Sequence, residues 1–325
     1  PQTAAAFHSD LLRAVYRVGR MQYQLDAVSA AFESARLCYL PLKGAVLRSL
    51  YPEPWMRTGV DVDIMVKPAD LDAASALLLS LGYRRQGSSD HDVAFLSPDG
   101  VRLELHHRML GHTRNTPAAA VLDGIWAHVS PVSPGSYRQQ LDQPTFLFLH
   151  IAHMAEHFEA GGCGLRPFLD LWLMQRHDLL GGEESEALLK KGGLLSFYRA
   201  CLKLSAALMD GTPEKTKDEK ELALFEEYIL MGGVYGTAEN MAAMGKAAKG
   251  RAKYFFSRLF VSYDRLKYIY PILQKHKLLF PAMQVRRWLE KLRKNGIKRY
   301  ASEVKHGEDA PDRKSMKELR SYLGL

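Results

Sequence analysis

The chain is poor in cysteine, lacks any long apolar run, and carries none of the commonest glycine signatures of nucleotide-handling or hydrolytic enzymes. Its 325 residues include only Cys38, Cys163 and Cys201. That odd number, without C-x-x-C spacing, argues against a disulfide framework and against a thiolate zinc centre. No apolar stretch reaches the roughly 18 residues that a bilayer demands, and the N-terminal stretch lacks the charged-then-apolar order of a secretory leader. A reducing, cytoplasmic setting is therefore expected. There is no Walker P-loop, no dinucleotide-binding G-x-G-x-x-G and no G-x-S-x-G elbow, which argues against ordinary kinase, dehydrogenase and hydrolase readings.

What is present suits a globular protein of two domains. Hydrophobic residues make up 47% and charged residues 25%, far from the profile of a disordered chain. The net charge of +8 is unevenly spread. From Lys246 onward 21 basic residues face 7 acidic ones, whereas the first 245 residues hold 23 basic and 29 acidic. A basic C-terminal region on an acidic body can steer a polyanion or an anionic membrane surface; solvated faces of amphipathic helices give the same count.

Periodicity divides the chain. Leu11, Leu12, Val15, Val18, Leu25, Val28 and Ala31 recur at helical spacing across 9–37. A short apolar segment, Tyr39 to Gly44, leads into a short helix over 45–50. In Val60-Asp61-Val62-Asp63-Ile64-Met65-Val66 the branched apolar residues alternate with Asp61, Asp63 and Met65, which predicts a strand with one buried face. A helix follows from Pro68 and Asp70 to a stop at Gly82. Two further strands, His91 to Leu96 and Val101 to His107, flank Ser97-Pro98-Asp99-Gly100, a type I turn sequence, and so predict an antiparallel hairpin. From about residue 140 only helices are expected, over 144–160, 166–178, 184–210, 217–231, 237–270 and 282–299. The expected fold class is α+β: a small mixed sheet with helices over 1–135, then an all-helical domain over 136–325. The boundary is placed at the Pro131, Pro134, Gly135 cluster.

The chemistry concentrates on the predicted sheet. Asp61 and Asp63 leave one face of their strand, about 6–7 Å apart. Two such carboxylates repel unless a cation sits between them, and magnesium suits them because it binds hard oxygens and keeps sites open for phosphate. On the hairpin, Val101, Leu103 and Leu105 share an apolar face, which turns Arg102, Glu104 and His106 to the other. If that strand lies beside the first, Glu104 becomes a third carboxylate, the set that a two-metal centre uses.

Lys43-Gly44, then Asp61-Val62-Asp63, then Glu104-Leu105-His106, in this order, resembles the DNA polymerase β-type nucleotidyltransferase fold. More narrowly, the chain resembles a bacterial group of uncharacterised nucleotidyltransferases. Arg57, His153 with His157, Arg166 with Asp170, and the stretch of Tyr270-Pro271, Pro281 and Arg286 fit that group. The resemblance implies transfer of a nucleoside monophosphate from an NTP to an acceptor hydroxyl on a small molecule, sugar or protein, releasing pyrophosphate. It implies Mg2+ or Mn2+ on Asp61, Asp63 and Glu104, which would also be the catalytic residues. Lys43, Gly44, Ala45, Arg57 and His106 would bind the nucleotide. Ala45 stands where the superfamily usually has a second small or hydroxyl residue, so it offers an amide without a hydroxyl. Phosphate grip is then expected to shift toward Lys43 or Arg57.

Other clusters carry weaker signals. His150, His153 and His157 share one helical stripe, as a second metal site, an acceptor-binding wall or hydrogen-bonded interface histidines. Arg166 and Asp170 have the spacing of an i, i+4 ion pair. Aromatics from Tyr254 to Tyr270 interleave with Arg251, Lys253, Arg258, Arg265 and Lys267, either to bind single-stranded nucleic acid or to pack inward. Two alternatives to a small-molecule transferase stay open: a non-catalytic, antitoxin-like regulatory protein that keeps the fold, and a nucleic-acid-modifying transferase.

Overall fold

A computed structural model of the chain describes residues 2–110, 116–211, 218–233, 236–290, 293 and 313–325. Its contacts separate two compact units, 1–147 with 173–188, and 148–172 with 189–325. Each is described by itself.

In the first unit, α1 (Gln2–Ser34) leads to β1 (Tyr39–Pro41), α2 (Lys43–Leu47), β2 (Asp61–Val66), α3 (Leu71–Ser80), β3 (Arg84–Ser88), β4 (Asp92–Leu96) and β5 (Arg102–His106). The five strands form one mixed sheet in the order β1-β2-β5-β4-β3. Only β2 and β5 run parallel. That pairing needs a crossover, and α3 with the β3–β4 pair supplies it. The alternation expected for β2 holds: Val62 and Ile64 are buried while Asp61 and Asp63 are partly open. One face of the sheet is therefore apolar. Met21, Leu25, Val28 and Phe32 of α1, spaced for a single helical stripe, pack there with Ala74 and Leu78 of α3, Val62, Ile64 and Val66 of β2, Phe95 of β4, and Leu103 and Leu105 of β5.

The hairpin turn forms as expected. The Gly100 amide bonds to the Ser97 carbonyl at 3.0 Å, and Gly100 sits at φ +84°. This is a type I turn followed by a left-handed residue, a three-residue hairpin loop that fixes the β4–β5 register.

The structure departs from the expectation in several places. β3 was not foreseen, because all five of its residues are exposed and it shows no apolar alternation. The cluster at 130–140 forms a small hairpin, β6 (Val129–Pro131) against β7 (Gln139–Leu141), so strands continue to residue 141. The helix expected over 184–210 divides at Gly193, φ +71°, into α7 (Gly182–Lys191) and α8 (Leu195–Asp210).

The second unit is helical: α5 (Gln143–Glu159) and α6 (Arg166–Arg176) belong to it in part, and α8, α9 (Glu219–Gly232), α10 (Ala238–Lys249), α11 (Arg251–Leu259), α12 (Tyr263–Ile269) and a helix over Arg313–Leu323 lie within it. The expected helix over 237–270 is thus three helices, broken at Gly250 and at Val261–Ser262. The expected helix over 282–299 is seen as helix over 280–290; most of its remainder lies outside the described residues. All three cysteines are free. Among the described residues, no helix is long and apolar enough to cross a membrane.

Ile64 is fully buried at the centre of β2, whereas Val132 is 42% exposed. Ile64→Ala should cost roughly 2–5 kcal/mol of stability and Val132→Ala less than about 0.5 kcal/mol, read from urea denaturation midpoints.

Candidate active site

Parallel pairing of β2 with β5 puts Asp61 beside Arg102, Asp63 beside Glu104 and Met65 beside His106. Alternation then carries Asp61, Asp63, Arg102, Glu104 and His106 to the sheet face away from α1. Neighbouring strands are about 4.8 Å apart, so the Asp63 and Glu104 carboxylates repel unless each finds a counter-charge. Each does. His106 Nε2 lies 3.3 Å from Asp63 Oδ1 and 3.7 Å from Glu104 Oε2. Arg102 places Nε at 2.8 Å and Nη2 at 2.7 Å from Glu104 Oε1.

Asp63, Glu104 and His106 each bring a donor atom within 4.8 Å of the others. Two carboxylate oxygens and an imidazole nitrogen at this spacing fit a divalent cation. Asp61, at the start of β2 on the same face, lies outside this group. His106 was expected to face the carboxylates, and it does.

The cationic side of the site comes from the β1–α2 turn and from the segment that leads into β2. The Leu42 amide bonds to the Asp63 carbonyl at 3.0 Å, which ties the start of α2 to the middle of β2. Lys43 follows at once and is buried, as is Arg57. Arg57 lies against this turn: a Cβ built at Gly44 would stand 3.4 Å from its Nη1, at contact distance. The Ala45 amide donates to the Leu42 carbonyl at 3.0 Å and is committed within the turn.

These charges set the ionisation. Burial pushes Asp63 up, but the hydrogen bond and charge of His106, with the charges of Lys43 and Arg57, outweigh it and hold the carboxyl below its ordinary value of 3.8. Burial pulls His106 down, but the hydrogen bond and charge of Asp63, with Glu104 and Asp92 behind it, hold the imidazole above 6.5. Arg102 is raised chiefly by its hydrogen bond to Glu104.

Sequence reasoning did not single out three neighbours. Arg48 is buried, its Nη2 3.8 Å from the Met21 sulfur. His91 stacks on His106 with centroids 6.1 Å apart. Asp92 is the cross-strand partner of His106. The last was legible, since the Ser97–Gly100 loop sets the register that pairs them.

In the second unit, His150 is buried with Nε2 3.1 Å from the Pro167 carbonyl, a structural bond. His153 and His157 bring their Nε2 atoms to 3.0 Å. Asp170 is buried on α6 and Arg166 exposed at its start. In the aromatic-basic stretch Leu266 and Tyr270 turn inward, but Phe256 and Phe260 are more than half exposed.

The model of a family described as uncharacterised nucleotidyltransferases matches residues 1–210, which include the whole sheet. The chain belongs to this family. The protein is accordingly a nucleotidyltransferase, a transferase of the EC 2.7.7 type. Nothing among the curated proteins matches. A solved structure described as the solution structure of the antibiotic-resistance factor ANT(2'')-Ia is similar at 14% identity, over 57% of this chain and 94% of that one. Its TM-score of 0.38 is too low to carry an argument.

The Asp63–His106 pair gives the metal-free nucleotidyltransferase a stability window. His106, raised on folding, stabilises fully below pH 6.5 and stops doing so as pH climbs through its folded value; Asp63, lowered on folding, stabilises above pH 3.8 and stops as pH falls through its own. In chelator, Tm should therefore fall as pH rises beyond 6.5, and His106→Gln should flatten that alkaline limb.

Proposed function

We propose that this nucleotidyltransferase moves a nucleoside monophosphate from an NTP to an acceptor hydroxyl on a small molecule, sugar or protein, using Mg2+ or Mn2+ held by Asp61, Asp63 and Glu104. The observation that carries the reading is the register that sets Asp63 beside Glu104, with His106 between them and the buried cations Lys43 and Arg57 behind Asp63. A shell of cations around two carboxylates is poorly suited to a merely structural role. It suits a site in which the carboxylates would hold a divalent cation and the buried cations would meet the charge of a triphosphate.

In this reading Lys43 and Arg57 take up the charge of the triphosphate, and Gly44 keeps the turn narrow enough for them to reach it. His106 fixes the orientation of Asp63. Glu104 accepts the hydroxyl proton through Oε2, the oxygen that Arg102 does not hold. The acceptor oxygen bonds to the α-phosphorus as the bond to pyrophosphate breaks. A bound divalent cation supplies charge neutralisation at the phosphate and acidifies the hydroxyl. The chain's own contribution is positioning and fixed charge.

Exposure of Phe256 and Phe260 within the basic stretch favours a second reading, in which the acceptor is a nucleic acid. RNA or DNA binding that falls steeply with salt would select it.

The decisive assay is pyrophosphate release from each NTP with Mg2+ or Mn2+. Asp63→Asn should reduce it about 10²–10³-fold, the usual cost of removing a group aimed at developing charge. Release that survives this change overturns the metal assignment, and absence of NTP binding by the wild type selects the regulatory alternative.

Two variants should move metal affinity in opposite directions. His106→Gln loosens Asp63 and should weaken Mn2+ binding about 10–100-fold. Arg102→Gln removes a guanidinium that competes for Glu104 and should tighten it. Calorimetric titration with Mn2+ reads both without relying on turnover.

A further inference from the structure

A second concavity lies on the other side of the sheet, where α1 crosses the starts of β2 and β5. It is lined by Arg13, Tyr16, Arg17 and Arg20 of α1, with Met21, Val60, Gly100 and Val101, and has a volume of about 390 Å³. That size falls within the ordinary range for small-molecule sites. Met21 and Val101 belong to the apolar cluster beneath the sheet, so the cavity has a buried apolar floor and opens on the face opposite the carboxylates.

Its wall is cationic by construction. Arg13, Arg17 and Arg20 follow an i, i+4, i+7 stripe, which sets successive guanidinium stems about 6 Å and 4.5 Å apart along the helix. Arg20 is anchored: its Nε lies 3.2 Å from Asp99 Oδ2 and its guanidinium stands over the Tyr16 ring, 5.4 Å from the centroid. Gly100 lies beside it: a Cβ built there would stand 3.7 Å from Arg20 Nη2, ordinary contact distance. Arg13 is tied to Asp10 at 3.2 Å, but both are well exposed, and such a pair is weak enough for a stronger anion to displace. Arg17 has no acidic partner among the described residues.

We propose that this pocket binds a phosphorylated small molecule, separately from the nucleotidyl-transfer site. The planar forks of Arg13, Arg17 and Arg20 match phosphate oxygens in pairs. The apolar floor and the exposed ring of Tyr16 take the organic part. The site does not depend on the proposed transfer reaction, because none of its residues faces Asp63 or Glu104.

The test is calorimetric titration of the full chain, in chelator, with inorganic tripolyphosphate, ATP and glucose 6-phosphate. Phosphate held by Lys43 and Arg57 appears as one binding phase and the α1 pocket as another. Arg17→Gln and Arg13→Gln/Arg17→Gln alter only an exposed helix surface, so the fold is retained, and circular dichroism verifies it. The double variant should lose the pocket phase by about tenfold or more, leave the other phase in place, and leave NTP-dependent pyrophosphate release unchanged. ATP binding more tightly than tripolyphosphate identifies a nucleotide as occupant; tighter binding of glucose 6-phosphate identifies a sugar phosphate. Isotherms of the double variant that superimpose on wild type overturn the proposal. So does an Arg17-dependent preference for a single-stranded oligonucleotide over all three probes.

Discussion

Two carboxylates side by side on adjacent strands are the constraint around which the first unit is arranged. Asp63 and Glu104 are register partners in a parallel pair whose reverse face is fully apolar. Neither strand can slip by one residue to relieve the repulsion, because a slip would carry Ile64 or Leu105 into solvent and an acid into the core. The repulsion must be relieved on the open face. Arg102 holds one carboxylate from its own strand, and His106 reaches the other.

The same constraint explains why the cations near Asp63 come from the start of α2 and from the segment just before β2. Burying Lys43 and Arg57 would be prohibitive away from an acid. Next to Asp63 it is reciprocal, since their charges help to hold that carboxyl ionised while the carboxylate offsets their own desolvation. The hydrogen bond from Leu42 to the Asp63 carbonyl keeps the two halves in contact.

The site was more legible in the sequence than the rest of the fold, for a physical reason. Alternation in Val60–Val66 and in Val101–His107 reports which side chains face the core, and hence which acids share the opposite face. The Ser97–Gly100 turn reports the hairpin register. These signals are local. That β5 pairs with β2 is not local, and the resemblance to nucleotidyltransferases carried that step. β3 was missed because a solvent-facing edge strand has no apolar face to announce it. The helix breaks at Gly193 and Gly250 were missed because an isolated glycine within an apolar periodicity reads as a tolerated defect unless its positive φ is known. Arg102 was placed on the correct face, but its grip on Glu104 depends on a rotamer that spacing cannot report.

The proposed nucleotide chemistry sits on the sheet, and no residue there is assigned to recognising the acceptor. Every side chain argued to handle phosphate lies within residues 13–106, inside the span matched by the family model, which ends at residue 210. The excess of basic residues begins at Lys246, outside that span. Features that any family member needs for nucleotidyl transfer should fall within the shared span, whereas features that choose an acceptor need not. The basic, aromatic segment beginning at α10 and α11 is therefore where this chain is free to differ from its relatives, and its charge directs attention to acceptors that are themselves anionic.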